Sequence, residues 1–262
     1  MNIYPKLRTF GLSLVIGLFC LPATAADLDR ATIEQLLATA SKTHPADLRR
    51  KDLTDLDLSG LDFRNADLWG ADLRRSNLSN SNLSGLNLDL TVMSKINLSG
   101  ADLSNASIFG VHMVGANLSH ANLTGSRFIA NLDKANLSHA NLSHADWGVD
   151  MKNQPMGLMR VSLNNANLSG ANLTSANLNK SLMRMTNLSE ANLKGAILYD
   201  ADLSKANFSG ADLTGADLSG AHLKDADFTS STLTGTKFTG VKDKATFRGL
   251  DSSKGIESAV FD

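Results

Sequence analysis

The chain has 262 residues, with 25 Lys and Arg against 26 Asp and Glu and a formal net charge of −1. That balance argues against a broad cationic footprint for nucleic acid or for an anionic membrane surface. With 42% hydrophobic residues and a single cysteine, the chain must hold itself together by packing rather than by disulfides.

The N-terminus carries Lys6 and Arg8, an apolar run from Phe10 to Leu21, and then Ala23-Thr24-Ala25. This is the three-part layout of a secretory leader, so residues 1–25 are predicted to be a signal peptide. The run is short for a membrane span, which needs roughly 20 apolar residues, and no stable membrane insertion is expected. Cys20 lies inside the run, so the mature chain of 262 − 25 = 237 residues contains no cysteine. Removing Lys6 and Arg8 leaves 23 basic against 26 acidic residues, a net charge of −3.

Residues 26–45 are expected to form an N-terminal cap. Asp29 is placed to cap a helix over about 29–42, with Leu28 and Ile33 at the two staple positions around it. Pro45 stops that helix.

A repeat of five then governs the chain. Its central apolar residue recurs from Leu48 to Phe128, resumes one residue early at Leu132, runs to Trp147, and continues from Leu158 to Phe238. The expected organisation is a first block over 46–147, a loop or insertion over 148–157, a second block over 158–240, and a C-terminal cap over 241–262. These blocks give 17 + 4 + 17 = 38 candidate units. A period of five fits neither a helix nor a continuous strand, because both would scatter the leucines around the element. The chain must therefore turn once per unit. If each unit is a short extended side followed by a corner, the leucine and the residue two before it, usually Ala, both point inward. Asp or Asn before the leucine, Ser or Thr after it, and frequent Gly last supply the corner chemistry.

These residues resemble the pentapeptide-repeat family, whose pattern A(D/N)Lxx appears here as ADLSG, ANLSG, ANLTS and ADLTG over about residues 46–240. The resemblance implies an all-β fold, a right-handed quadrilateral β-helix with four units per coil, here preceded by the short capping helix. At ~4.8 Å per stacked strand, nine to ten coils make a rod roughly 45 Å long. Trp147, large for a leucine slot, is expected to distort its coil or to be capped by the 148–157 loop. The tail, with Phe247, Leu250, Ile256 and Phe261, is expected to cap the far end.

Screens for catalysis are negative: GxSxG, HExxH, P-loop and dinucleotide fingerprints are absent, and no cofactor is expected. The many Asp residues occupy one repeat position and alternate with Asn, as a backbone-bonding role permits. His120 and His139 fall in the same slot nineteen residues apart, and His144 takes that slot one side later. The three form a candidate surface metal site for zinc or copper.

On coils of twenty, the slot after the leucine on the side that begins with Leu48 holds Arg49, Trp69, Asp89, Phe109 and Ile129, with Leu90 in the adjoining slot and Val149 following Trp147 one coil on. Such a row is an apolar stripe that asks for a cover: a second copy, an unknown protein partner, or the chain's own loop or helix. The functional expectation is an exported, non-catalytic rigid scaffold, periplasmic or secreted in a bacterium. The resemblance also admits the thylakoid lumen, and it offers a competing role, a DNA mimic that protects a type II topoisomerase. The leader and the interspersed Arg49, Arg50, Arg74, Arg75, Lys152, Arg160 and Arg184 oppose that role.

Overall fold

The computed structural model describes residues 26–149, 159–242 and 244–262. The expected signal peptide and most of the expected 148–157 loop lie outside them. Helix α1 (Arg30–Thr39) opens the described chain, with Asp29 as N-cap accepting from the Thr32 N–H at 2.9 Å. It ends short of residue 42 because the Ala40 N–H turns back to the Leu37 carbonyl, and Ser41 and His44 close a tight turn before Pro45. Ile33 is fully buried, and Leu28, Leu36 and Leu37 pack beside it on the core. The first coil is closed by Asp27, whose N–H donates to Asp52 O and whose carboxylate accepts from the Asp52 N–H.

From Ala46 onward every unit makes one side of a square. The residue before the leucine bridges in parallel to its equivalent one coil away, as Asn97 does to Asn117. Leu98 N–H donates to Asn117 O at 2.7 Å, and Asn117 N–H donates to Ile96 O at 2.9 Å. The leucine carbonyl then accepts from the N–H three residues on, as in Ala101 to Leu98 at 3.1 Å. The last residue of the unit has positive φ, 66° at Gly100 and 55° at Asn105. A corner with that hydrogen bond and one left-handed residue at its third position is a type II turn. This is the physical reason for the period: three residues of extended chain plus two of turn.

Four sides follow in order. Side 1 runs from Leu48 to Phe238, side 2 from Leu53 to Leu223, side 3 from Leu58 to Phe228, and side 4 from Phe63 to Leu233. The inward leucines are fully buried and the Ala two before them nearly so. Ser181 Oγ is buried without a partner, but at the other described positions where Ser or Thr replaces that Ala the hydroxyl donates to a carbonyl of the ladder, as Ser81 does to Leu78 and Ser76 to Leu53. These bonded hydroxyls thus cost little. The folded chain is a right-handed quadrilateral β-helix.

The repeat breaks twice, both times at the corner from side 1 to side 2. At the first break β1 (Ser107–His112) and β2 (Arg127–Asn131) run through the corner without a turn. Phe109 pairs with Ile129 and Val111 with Ala130, so Gly110 is the bulged extra residue opposite the deletion. One coil later Asn136 pairs with Asn167 and Asp146 with Asn177, a step of 31 in place of 20. Side 2 after Trp147 is therefore the unit of Val161, Ser162 and Leu163, and eleven residues are inserted between them. The unit expected around Leu158 lies outside the described residues.

Of the two outcomes expected for Trp147, distortion of its coil does not occur, and capping by the 148–157 loop falls mostly outside the described residues. Its indole stacks on Phe128 with centroids 4.7 Å apart and planes at 5°. Its N–H donates to Ser126 Oγ at 3.0 Å, and Trp147 keeps its backbone bond to Asn177 O at 2.8 Å. A hydroxyl at the Ala position and an aromatic rung below make room for it. The tail continues the ladder as a last turn: Arg248, Lys254 and Val260 bridge to Asp227, Thr232 and Lys237. Its units are six residues long because each corner is a 3₁₀ turn, Leu250–Ser252 and Ile256–Ser258. Phe247, Leu250 and Ile256 pack on the core from there, and Phe261 stacks on Phe238.

Candidate interaction surface

Outward slots differ sharply between the two halves of the square. On side 3 the slot before the leucine is Asn from Asn77 to Asn207, and the carboxamides form a ladder. Asn97 Nδ2 donates to Asn77 Oδ1 at 2.8 Å, Asn117 to Asn97 at 3.1 Å, and Asn136 to Asn117 at 3.2 Å. The same oxygens accept the backbone N–H two residues on, as Asn117 does from Ser119. This confirms a backbone-bonding role at the Asp/Asn position. The slot after the leucine on side 3 is Ser from Ser59 to Ser209. Sides 3 and 4 are thus near-uniform polar faces.

Sides 1 and 2 are not uniform. Among the described residues every large apolar side chain exposed to solvent stands on side 1, on side 2 or at a corner that ends one of them. Leu90 and Met185 are 51% and 52% exposed, and Phe109, Met159, Ile197 and Tyr199 are also exposed. Leu90 and Met185 hold the left-handed corner slot, at φ 61° and 55°. A bulky aliphatic residue there is an outlier, since most such corners use Gly, Asn or a charged residue. Strain of this kind is a pointer to function.

The expected stripe is placed as follows. Trp69 is half-buried, with the Arg50 guanidinium 4.8 Å from its ring centroid. Leu90 and Phe109 are exposed, as expected. Ile129 is corrected: it is only 3% exposed, because the deleted turn residue pulls the chain straight through the corner and folds its side chain into the rod's flank. It lines a shallow hollow of about 260 Å³ with Val111, His112, Ala130, Met159 and Arg160. Val149 is half-buried, its N–H donating to Asn179 Oδ1 at 2.9 Å. The sequence reading missed Ile197, Tyr199 and Met185. Tyr199 falls into the slot of Trp69 and Phe109, with Ile197 just before the leucine of the same unit and Met185 at the corner that ends side 2, only after the insertion is counted as eleven residues, which the five-residue spacing of Leu158 concealed.

The three-histidine site is not assembled. His120 and His139 do stack at the corner after side 3, with centroids 5.1 Å apart and planes at 14°. His144 belongs to the corner after side 4, and among the described residues no group of three or more His, Cys, Asp or Glu could hold a metal.

Charge is concentrated at the N-terminal end and is paired. Arg49 holds the Asp47 carboxyl down to about 2, and Arg64 and Arg75 lower Asp62 and Asp55 by the same hydrogen-bonded pairing. These pairs are exposed, while Arg74 is exposed and its partner Asp72, at 2.5 Å, is half-buried. They order side chains more than they stabilise the fold.

A square solenoid with five-residue sides, a leucine ladder and one differentiated pair of faces defines a repeat protein built on a β-helix. The chain belongs to the pentapeptide-repeat family: the description Pentapeptide repeats matches in eight copies, over residues 46–70, 57–94, 87–125, 130–147, 158–185, 166–210 and 206–242. It is similar to HetL, a pentapeptide repeat protein involved in heterocyst differentiation regulation from the cyanobacterium Nostoc sp. strain PCC 7120. That likeness is 29% identity over 89% of this chain and 97% of the other, with a TM-score of 0.46. A trypsin-treated form of QnrB1, a plasmid-mediated fluoroquinolone resistance protein, shares 20% identity over 73% of this chain and 89% of its own, with a TM-score of 0.53. Rfr23 from the cyanobacterium Cyanothece 51142 is 30% identical over 50% of this chain and 91% of its own, with a TM-score of 0.37. No curated protein matches the chain.

Proposed function

We propose that the protein is an exported, non-catalytic scaffold that binds a protein partner along sides 1 and 2. The observation that carries this reading is the confinement of exposed large apolar side chains to those two sides, with Leu90 and Met185 held in left-handed corners. Singly scattered surface hydrophobes would fall on all four sides. Sides 3 and 4 serve the fold, since their carboxamides are spent on the ladder and on backbone N–H groups. The leader supports export to a periplasm, the medium or a lumen. Among the described residues no helix is long and apolar enough to cross a membrane. DNA mimicry would need a continuous acidic face, and side 2 is punctuated by Arg74 on Asp72, Arg75 on Asp55 and Arg184 on Asp202.

The test is crosslinking in cells followed by affinity capture from the exported fraction, with the native chain and a Trp69→Asp/Phe109→Asp variant. The expected result is one or more proteins captured by the native chain and lost by the variant, whose circular dichroism stays unchanged. Retention of the chain in the cytosol, or equal capture by both forms, refutes the reading.

A further inference from the structure

One group on side 1 contradicts its surroundings. The slots after Leu68, Leu88 and Ile108 hold Trp69, Asp89 and Phe109 on three consecutive rungs, with Gly70 N–H bonded to Asp89 O and Leu90 N–H to Phe109 O. Asp89 thus sets one negative charge between two aromatic side chains, beside exposed Leu90. Its Oδ1 is buried and has no hydrogen-bond partner. An unpaired carboxylate oxygen in such a place is costly, and its absence of a donor calls for an explanation. The neighbouring acids differ: Asp67 faces Arg49 at 3.6 Å and Asp72 is held by Arg74. Arg50 lies on the rung before Trp69, over its ring, so it and Asp89 stand on opposite sides of the indole along the rod.

The spacing fits a cation. Consecutive rungs are about 4.8 Å apart, so Trp69 and Phe109 are separated by roughly 9.6 Å. A cationic group seated over Asp89 midway between them lies about 5 Å from each, inside the ~6 Å reach of a cation–π contact. Arg50 on Trp69 is the intramolecular example of the same pairing on this surface. A planar guanidinium suits the seat better than an ammonium, since it can stack on a ring and donate to a carboxylate together.

We propose that Asp89, flanked by Trp69 and Phe109, receives an arginine side chain of the protein partner, with the apolar residues around that arginine lying on Leu90 and the adjoining stripe. This rests on the reading of sides 1 and 2 as the binding surface, and it names the chemistry of the bound segment.

The probe is a short apolar peptide with one central arginine, compared with the same peptide carrying citrulline, its neutral isostere. The chain has two tryptophans, and Trp147 is fully buried, so Trp69 emission reports the seat; a Trp147→Phe variant verifies the assignment. The expected result is a saturable change with the arginine peptide, at least tenfold weaker with citrulline, and at least tenfold weaker in Asp89→Asn. Asn is compatible with the fold, since Asn179 occupies the equivalent slot further along side 1. No saturable response, equal binding of both peptides, or undiminished binding by Asp89→Asn overturns the proposal. Cellular capture separates the two claims. Loss in Trp69→Asp/Phe109→Asp but full retention in Asp89→Asn removes the arginine seat and leaves the surface standing; retention in all variants removes both.

Discussion

Sides 3 and 4 of the rod and sides 1 and 2 solve the same folding problem with different outer surfaces. Inside, all four carry a leucine ladder and small residues at the position two before it. Outside, sides 3 and 4 repeat Asn, Asp, Ser and Thr almost without variation, while sides 1 and 2 carry Trp69, Leu90, Phe109, Tyr199 and Met185, and the corner between them holds both breaks in register. The lesson is that the repeat fixes what every side must do, and departures from it mark where the molecule does something else. The outward slots are free to vary on all four sides, so their uniformity on two of them gives the variation on the others its meaning.

That contrast makes predictions of decreasing size. The interior should not distinguish the sides at all. Leu132→Ala on side 2 and Leu137→Ala on side 3 remove equivalent, fully buried side chains, and each should cost about 2–5 kcal/mol. Urea denaturation checks this, and a much smaller cost on side 2 would mean its core is loosened by the neighbouring breaks. The outer surface should distinguish them. Asn117→Ala removes three hydrogen bonds, to Ser119 N–H, Asn136 and Asn97, and should cost about 1–2 kcal/mol. Val92→Ala, in the same slot on side 2, should stay within about 0.5 kcal/mol. Equal costs would dissolve the distinction between structural and free faces.

A third prediction uses acid to compare the ends of the rod. In the first coil the slot before the leucine is Asp, with Asp47 lowered to about 2 by its Arg49 pairing. Asp52 is lowered by the Thr54 N–H, and Asp57 by its hydrogen bond from Ser59. A carboxyl whose folded value lies below its unfolded value of about 3.9 stabilises the fold above that value. The contribution is lost as pH falls through the folded value. On side 3 the later coils carry Asn117, Asn136 and Asn167 in that slot, which do not titrate. Hydrogen exchange between pH 4 and 2 should therefore lose protection in the first coil before the middle coils; uniform loss would show that these pairs contribute nothing local.

Much of this was legible in the sequence because the period itself is a physical statement: only a chain turning every five residues keeps Leu213, Leu218 and Leu223 all inside. The cap on α1 was readable from Asp29, and the outward stripe from Trp69, Leu90 and Phe109. Three things were not. Ile129 reads as an outward residue by its slot, but deletion of one turn residue converts the corner to strand, and slot counting cannot see a missing corner. Trp147 reads as oversized until Ser126 and Phe128 are known to be its neighbours, a relation carried by stacking across coils. The histidines read as a cluster because sequence proximity hides that His139 and His144 sit at opposite ends of side 4.

Closing the register at the second break is also expected to have little effect on the fold. The ladder steps by 31 across the insertion and by 20 on both sides of the breaks, so removing eleven residues should restore the regular coil. Removal of 149–159 is the best choice, because it joins Trp147-Gly148 to Arg160-Val161-Ser162-Leu163 and leaves one unit of five. Gly148 should be retained, since a Cβ there would lie 2.6 Å from Asn177 Nδ2. Arg160 would then take the left-handed corner, which Arg50 and Arg75 already occupy at φ 55° and 60°. Ser162 keeps its pairing with Asn131, and the Val161 side chain stays inside. Loop closure entropy changes slowly with length, so the shortened chain should unfold within about 1 kcal/mol of the native one. Circular dichroism and a melting curve suffice to measure it. Collapse of the ladder would mean that the inserted residues carry part of the coil, and the register count would be wrong. An intact ladder with lost partner capture would instead extend the binding surface to this corner, where both breaks in an otherwise regular rod coincide.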